Sequence, residues 1–153
     1  MRSGILSFKK MLRILISFLL LILVSFRGNS QEIPDTGFTD LEATEFYVIM
    51  KSNEDRIIID TRTWKEYRRE RIPGAVLAAD RQELISVSKH LDFEQPVLVY
   101  CSDDFRSKSA CGILVERGFT NVYNLNGGLI QWKMAGYEID KKKAPRKQGL
   151  SYR

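Results

Sequence analysis

Histidine and cysteine are scarce in this 153-residue chain, which has one histidine, His90, and two cysteines, Cys101 and Cys111. A Cys-His hydrolase needs a histidine beside its thiol, and a protein metal site needs several ligands gathered together. His90 falls at the end of an expected helix leading away from Cys101, so neither class fits, and no metal or cofactor is expected. Acidic residues are missing before Ser30, where Arg2, Lys9, Lys10, Arg13 and Arg27 stand alone. Those five residues account for the whole formal net charge of +5. The rest of the chain is balanced and lacks the basic surface of a general nucleic-acid binder. Also missing is an apolar run of the roughly 20 residues that span a bilayer, since the longest extends from Ile14 to Phe26.

A basic start, a short apolar run and small residues at Gly28 and Ser30 form the plan of a secretory signal over 1–30, cleaved after Ser30. The alternative is an uncleaved N-terminal membrane anchor. Either places the folded part outside the cytoplasm, periplasmic or extracellular, where cysteines meet oxidants. QEIPDTG, residues 31–37, suits a linker, and the domain follows over 38–140. The tail, 141–153, carries Lys141, Lys142, Lys143, Arg146, Lys147 and Arg153 with no acid. It is read as a solvated, disordered segment or as one that touches a membrane surface or an acidic partner. The sequence is silent on oligomeric state.

From Phe38 onward, strand and helix patterns alternate. Leu41, Phe46, Ile49 and Met50 have helical spacing behind a short strand or turn. Arg56 to Asp60 is a β-branched run suited to a strand buried on both faces. Thr63 is placed to cap a helix over 64–70, which Ile72-Pro73-Gly74 ends before a strand from Ala75 to Ala78. Asp80 is placed to cap a helix over 81–89, with Leu84 and Val87 facing inward. Pro96 opens a strand from Val97 to Tyr100, and a helix over 106–117 stops at Gly118. Val122 to Leu125 is a strand, Gly127-Gly128 a turn, and 129–134 a last helix. The fold class is therefore α/β, a small, open, mostly parallel sheet with helices on both faces.

In such a sheet the ligand site lies beyond the carboxyl ends of the strands, where Cys101 stands. The helix after it directs free amides back toward the loop, an arrangement that favours anions and thiolates. Arg106 and Lys108 add positive charge there, while Asp103 and Asp104 oppose it. Cys101, four further residues, then Arg106 and Ser107 make a tight loop, and this loop resembles the active-site loop of the rhodanese family. IIIDTRTWKEYRRERIPGAV is similar to that family's first signature through Asp60, Arg62, Glu66, Tyr67, Ile72, Pro73, Gly74 and Ala75. GFTNVYNLNGGLIQWKMAGY resembles its closing signature through Gly118, Leu125, Gly127, Gly128, Trp132, Ala135 and Gly136.

The resemblance implies a rhodanese-like domain acting as a sulfurtransferase. Cys101 would be the nucleophile, and Ser102, Asp103, Asp104, Phe105 and Arg106 the substrate-binding loop. Asp60 and Arg62 would support that loop by ion pairs and hydrogen bonds. Sulfane sulfur would pass from a small-molecule donor such as thiosulfate, through a Cys101 persulfide, to a thiol or cyanide. Cysteine phosphatases and arsenate reductases place five residues between cysteine and arginine rather than four, in a wider loop for a tetrahedral oxyanion. This chain departs from the family at Asp104, commonly glycine, and at Ser102, often basic, and the charge of Asp104 weakens attraction for an anionic donor. The alternative function is a non-catalytic rhodanese-like module that binds a partner or senses thiol redox state. Cys111 is expected to be a buried structural thiol, the alternatives being a disulfide with Cys101 or a resolving role.

Overall fold

The structure is a computed structural model and describes residues 37–142. The expected signal or anchor over 1–30, the linker up to residue 36 and the tail from 143 lie outside the described residues.

Five strands, β1 (Thr39–Leu41), β2 (Ile57–Asp60), β3 (Val76–Leu77), β4 (Val97–Tyr100) and β5 (Val122–Leu125), form one sheet in the order β1-β5-β4-β2-β3. Every pairing is parallel, so the expected mostly parallel sheet is wholly so. The helices are α1 (Ala43–Ser52), α2 (Trp64–Arg69), α3 (Arg81–Ser88), α4 (Phe105–Glu116) and α5 (Gly128–Met134). The strand at Ala75 to Ala78 is shorter than expected because the Ala75 amide bonds Ile72 O at 3.1 Å and belongs to the turn. The helix after Cys101 starts one residue early, at Phe105, because Asp104 turns left-handed in front of it.

Adjacent residues of one strand point to opposite faces, so an unbroken apolar strand feeds two cores at once. Ile58, Leu98, Tyr100 and Leu125 pack with Phe46 and Met50 of α1 and Leu129 and Trp132 of α5. Ile59, Val97, Val99 and Val122 pack on the other face with Leu84 and Val87 of α3 and Ala110, Cys111 and Leu114 of α4. Full burial of one such aliphatic side chain stabilises the fold by about 1.5–3 kcal/mol. β4 lies at the centre, flanked by β5 and β2, so its carboxyl end opens between neighbours on both sides. Cys101 is the next residue.

Candidate active site

Cys101 is fully buried at the floor of the loop. The Asp104 amide donates to its Sγ at 3.1 Å, and the Ser107 hydroxyl, whose single proton is shared with Asp104 O at 3.0 Å, lies 3.5 Å from the sulfur. The amide stabilises negative charge developing on the sulfur. Asp104 reaches its position with φ 89°, a left-handed turn that Asp tolerates better than most side chains. Asp103 opposes this arrangement. Its Oδ1 accepts from the Cys101 thiol at 3.5 Å and, in a long hydrogen bond, from the Phe105 amide at 3.4 Å. Phe105 itself is exposed at the loop's outer edge.

Two elements hold the loop in place. Glu66, in the first turn of α2, closes a reciprocal capping box with Thr63. The same carboxylate accepts from Ser102 Oγ at 2.9 Å and from both terminal nitrogens of Arg106 at 3.1 and 3.0 Å. Arg106 holds the Glu66 carboxyl far below the usual carboxylate range, with help from the hydrogen bonds of Thr63 and Ser102. On the other side, Leu129 N and Ile130 N of α5 donate to Cys101 O and Ser102 O at 2.8 and 3.2 Å. That approach requires glycine at 128, where a Cβ would meet Cys101 O and the Ser102 carbonyl carbon at 2.6 Å.

Asp60 and Arg62 do not bond the loop as expected, because register places Asp60 beside Tyr100, the last residue of β4. Asp60 takes a bidentate bond from Arg62, Nε to Oδ1 and Nη2 to Oδ2, and one from Tyr100 Oη at 2.6 Å. Arg62 also donates to Glu70 O at 2.6 Å. The cluster is buried, and burial followed by the Asp60 charge pushes the Tyr100 hydroxyl up. These residues fix the strand end beneath Cys101, and Glu66 makes the ties assigned to them. Cys111 is a buried free thiol, pushed well up by burial, and Cys101 is also free. Trp132 is fully buried in the core.

A family model for the Rhodanese-like domain matches residues 42–135. The chain belongs to the rhodanese-like family. It is 40% identical over 93 residues to the thiosulfate sulfurtransferase GlpE of Coxiella burnetii, which covers 61% of this chain and 82% of that one. A sulfurtransferase of Allochromatium vinosum is 32% identical over 90 residues, covering 59% and 83%. Among solved structures, a thiosulfate sulfurtransferase from Pseudomonas aeruginosa matches with TM-score 0.58 at 28% identity, covering 71% of this chain and 21% of that one. A rhodanese-related protein from Thermoplasma volcanium shares the fold with TM-score 0.59 at 23% identity, covering 68% and 99%.

The two cations expected to offset the loop aspartates in this rhodanese-like domain are both engaged. Arg106 lies against Glu66 and Ser102 Oγ, and Lys108 Nζ lies 3.2 Å from Asp104 Oδ2 and 3.4 Å from Asp40 Oδ2. Asp104 Oδ2 also accepts from Gly127 N at 3.4 Å, so its charge turns away from the sulfur. A cavity of about 280 Å³ adjoins the loop on the α3 and α4 side, lined by Thr61, Ala78, Leu84, Phe105, Arg106 and Ala110 among others. Among the described residues no group of three or more His, Cys, Asp or Glu side chains is arranged to hold a metal. Glu66 was missed as a site residue. Its signal was the Thr63-x-x-Glu66 capping spacing, which reveals the cap and not the second bond set.

Proposed function

We propose that this chain is a rhodanese-type sulfurtransferase in which Cys101 is the nucleophile and carries the transferred sulfur. Family membership and the relatives named as thiosulfate sulfurtransferases support the reaction class. The observation that carries the residue assignment is the Asp104 N–H aimed at Cys101 Sγ at the end of the central strand, with the Ser107 hydroxyl beside the same sulfur. The Cys101 thiolate attacks the outer sulfur of a small sulfane donor. The donor's S–S bond breaks, its electron pair leaves with sulfite or a thiolate, and a persulfide forms on Cys101. A thiol or cyanide then attacks the outer sulfur and releases the Cys101 thiolate. Amides of the loop from Ser102 to Arg106 take up the persulfide charge in between. Asp60 and Arg62 support the site from below by fixing Tyr100. Export to the periplasm or cell exterior belongs to the same proposal and is supported by the basic start and the apolar run from Ile14 to Phe26.

Intact mass spectrometry tests the reading. The purified protein is incubated separately with thiosulfate and with cysteine persulfide, then treated with cyanide. At least one donor is expected to add a single sulfur atom that cyanide removes as thiocyanate, with no addition to Cys101→Ser. If neither donor adds sulfur, or Cys101→Ser gains it equally, the enzymatic reading falls and a binding or redox-sensing module replaces it.

A further inference from the structure

We propose that Asp103 selects the sulfur donor, discriminating against doubly charged thiosulfate in favour of an organic persulfide. The inference rests on the sulfur-transfer reading of Cys101 and concerns which donor that loop admits.

The carboxylate already takes a loop donor that an incoming anion would use. Asp103 Oδ1 lies 3.5 Å from Cys101 Sγ and takes the Phe105 amide, one of the loop donors available to a bound anion or persulfide. Cys101 is fully buried, whereas Asp103, whose carboxylate lies against the sulfur, is an exposed residue. A donor must displace it and still meet its charge at close range. Arg106, held chiefly by Glu66, also interacts with the Cys101 sulfur, but neither neighbouring cation balances Asp103 itself. Glu66, Asp104, Asp40 and Asp103 are countered by Arg106 and Lys108, whose ion pairs are with the first three. Among the described residues no cation pairs with Asp103. Its charge is therefore directed at the sulfur, while that of Asp104 is directed at Lys108 and Gly127 N.

Coulomb energy scales with the product of the charges, so thiosulfate meets twice the repulsion of a singly charged persulfide at equal distance. Cysteine persulfide meets that condition, because its ammonium and α-carboxylate groups cancel and leave the single charge of the persulfide. The persulfide reaction balances without an oxidant or reductant: Cys101–SH and R–S–S⁻ give Cys101–S–S⁻ and R–SH. The donor's S–S bond breaks and a bond from Cys101 Sγ to the outer sulfur forms. The leaving sulfur keeps the electron pair and receives the thiol proton. The new anionic sulfur then takes the amide that Asp103 gave up.

The test measures single-turnover loading of Cys101 by thiosulfate and by cysteine persulfide, using intact mass, in wild type and Asp103→Asn. Wild type is expected to load faster from the persulfide. Asp103→Asn is expected to raise the thiosulfate rate on the order of tenfold and change the persulfide rate by less than about threefold. Asp103→Glu keeps the wild-type preference, and added salt narrows it by screening the carboxylate. If Asp103→Asn leaves the ratio of the two rates unchanged, donor selection is overturned while sulfur transfer at Cys101 stands. If neither donor loads either protein, sulfur transfer fails and donor selection fails with it.

Discussion

Asp104 occupies a left-handed position that glycine adopts without penalty and that most side chains enter at about 1–2 kcal/mol. Its Oδ2 recovers part of that cost through Gly127 N and Lys108 Nζ. Asp104→Ala keeps the Cβ and loses both ties, so a stability loss of about 1–2 kcal/mol is expected from urea unfolding. Asp104→Gly loses the same ties and relieves the backbone, so it should stay within about 1 kcal/mol of wild type. Equal losses for the two variants would show that the backbone angle is not what Asp104 contends with. The sequence exposes the departure from glycine and the tolerance of Asp for this conformation. It does not expose that neighbouring aspartates send their charges in opposite directions, because side-chain rotamers decide that and residue spacing does not.

At the scale of elements, the loop is clamped between the first turn of α2 and the start of α5. Gly128→Ala places a methyl group against the Cys101 and Ser102 backbone at a position with φ 58°. A stability loss above about 2 kcal/mol is expected, together with loss of sulfur loading by intact mass. Glu66 makes the other clamp dependent on pH. Its folded-state pKa is depressed, chiefly by Arg106, so the native state binds fewer protons than the unfolded chain. The resulting stability is complete above the unfolded value of about 4.3 and is lost as pH falls below it. Side-chain exposures of 34% and 38% for Glu66 and Arg106 keep the effect to about 1 kcal/mol or less. Thermal unfolding from about pH 6 to about pH 3 should therefore cost wild type more than Glu66→Gln. Parallel losses in the two proteins would remove Glu66 from the account. The helix, its Thr63 cap and the Glu66 spacing are readable locally. The bond from Ser102 to Glu66 joins residues 36 apart and depends on the sheet that brings them together.

Across the whole molecule, one parallel sheet supports two apolar faces. This plan is legible because Ile57 to Ile59 and Val97 to Val99 show no polar alternation and must be covered on both sides. Strand order is not legible in the same way. β1 pairs with β5, Thr39 opposite Tyr123, and no local pattern records which distant strand an edge strand joins. A sheet shared by both faces should unfold as one unit. Leu114 is a fully buried residue of α4, and Trp132 belongs to the core on the other face. Leu114→Ala is expected to cost about 2–5 kcal/mol. With Trp64→Phe as background, Trp132 is the only tryptophan emitter, since the chain has two tryptophans. Its fluorescence midpoint in denaturant should then shift with Leu114→Ala by the same amount as the far-ultraviolet circular dichroism. A fluorescence midpoint that stays fixed while the dichroism moves would mean that the two faces unfold separately. In that case damage to the α4 face would leave α5 in place but free the helix that carries Asp104 and Ser107, and with it the donors on Cys101.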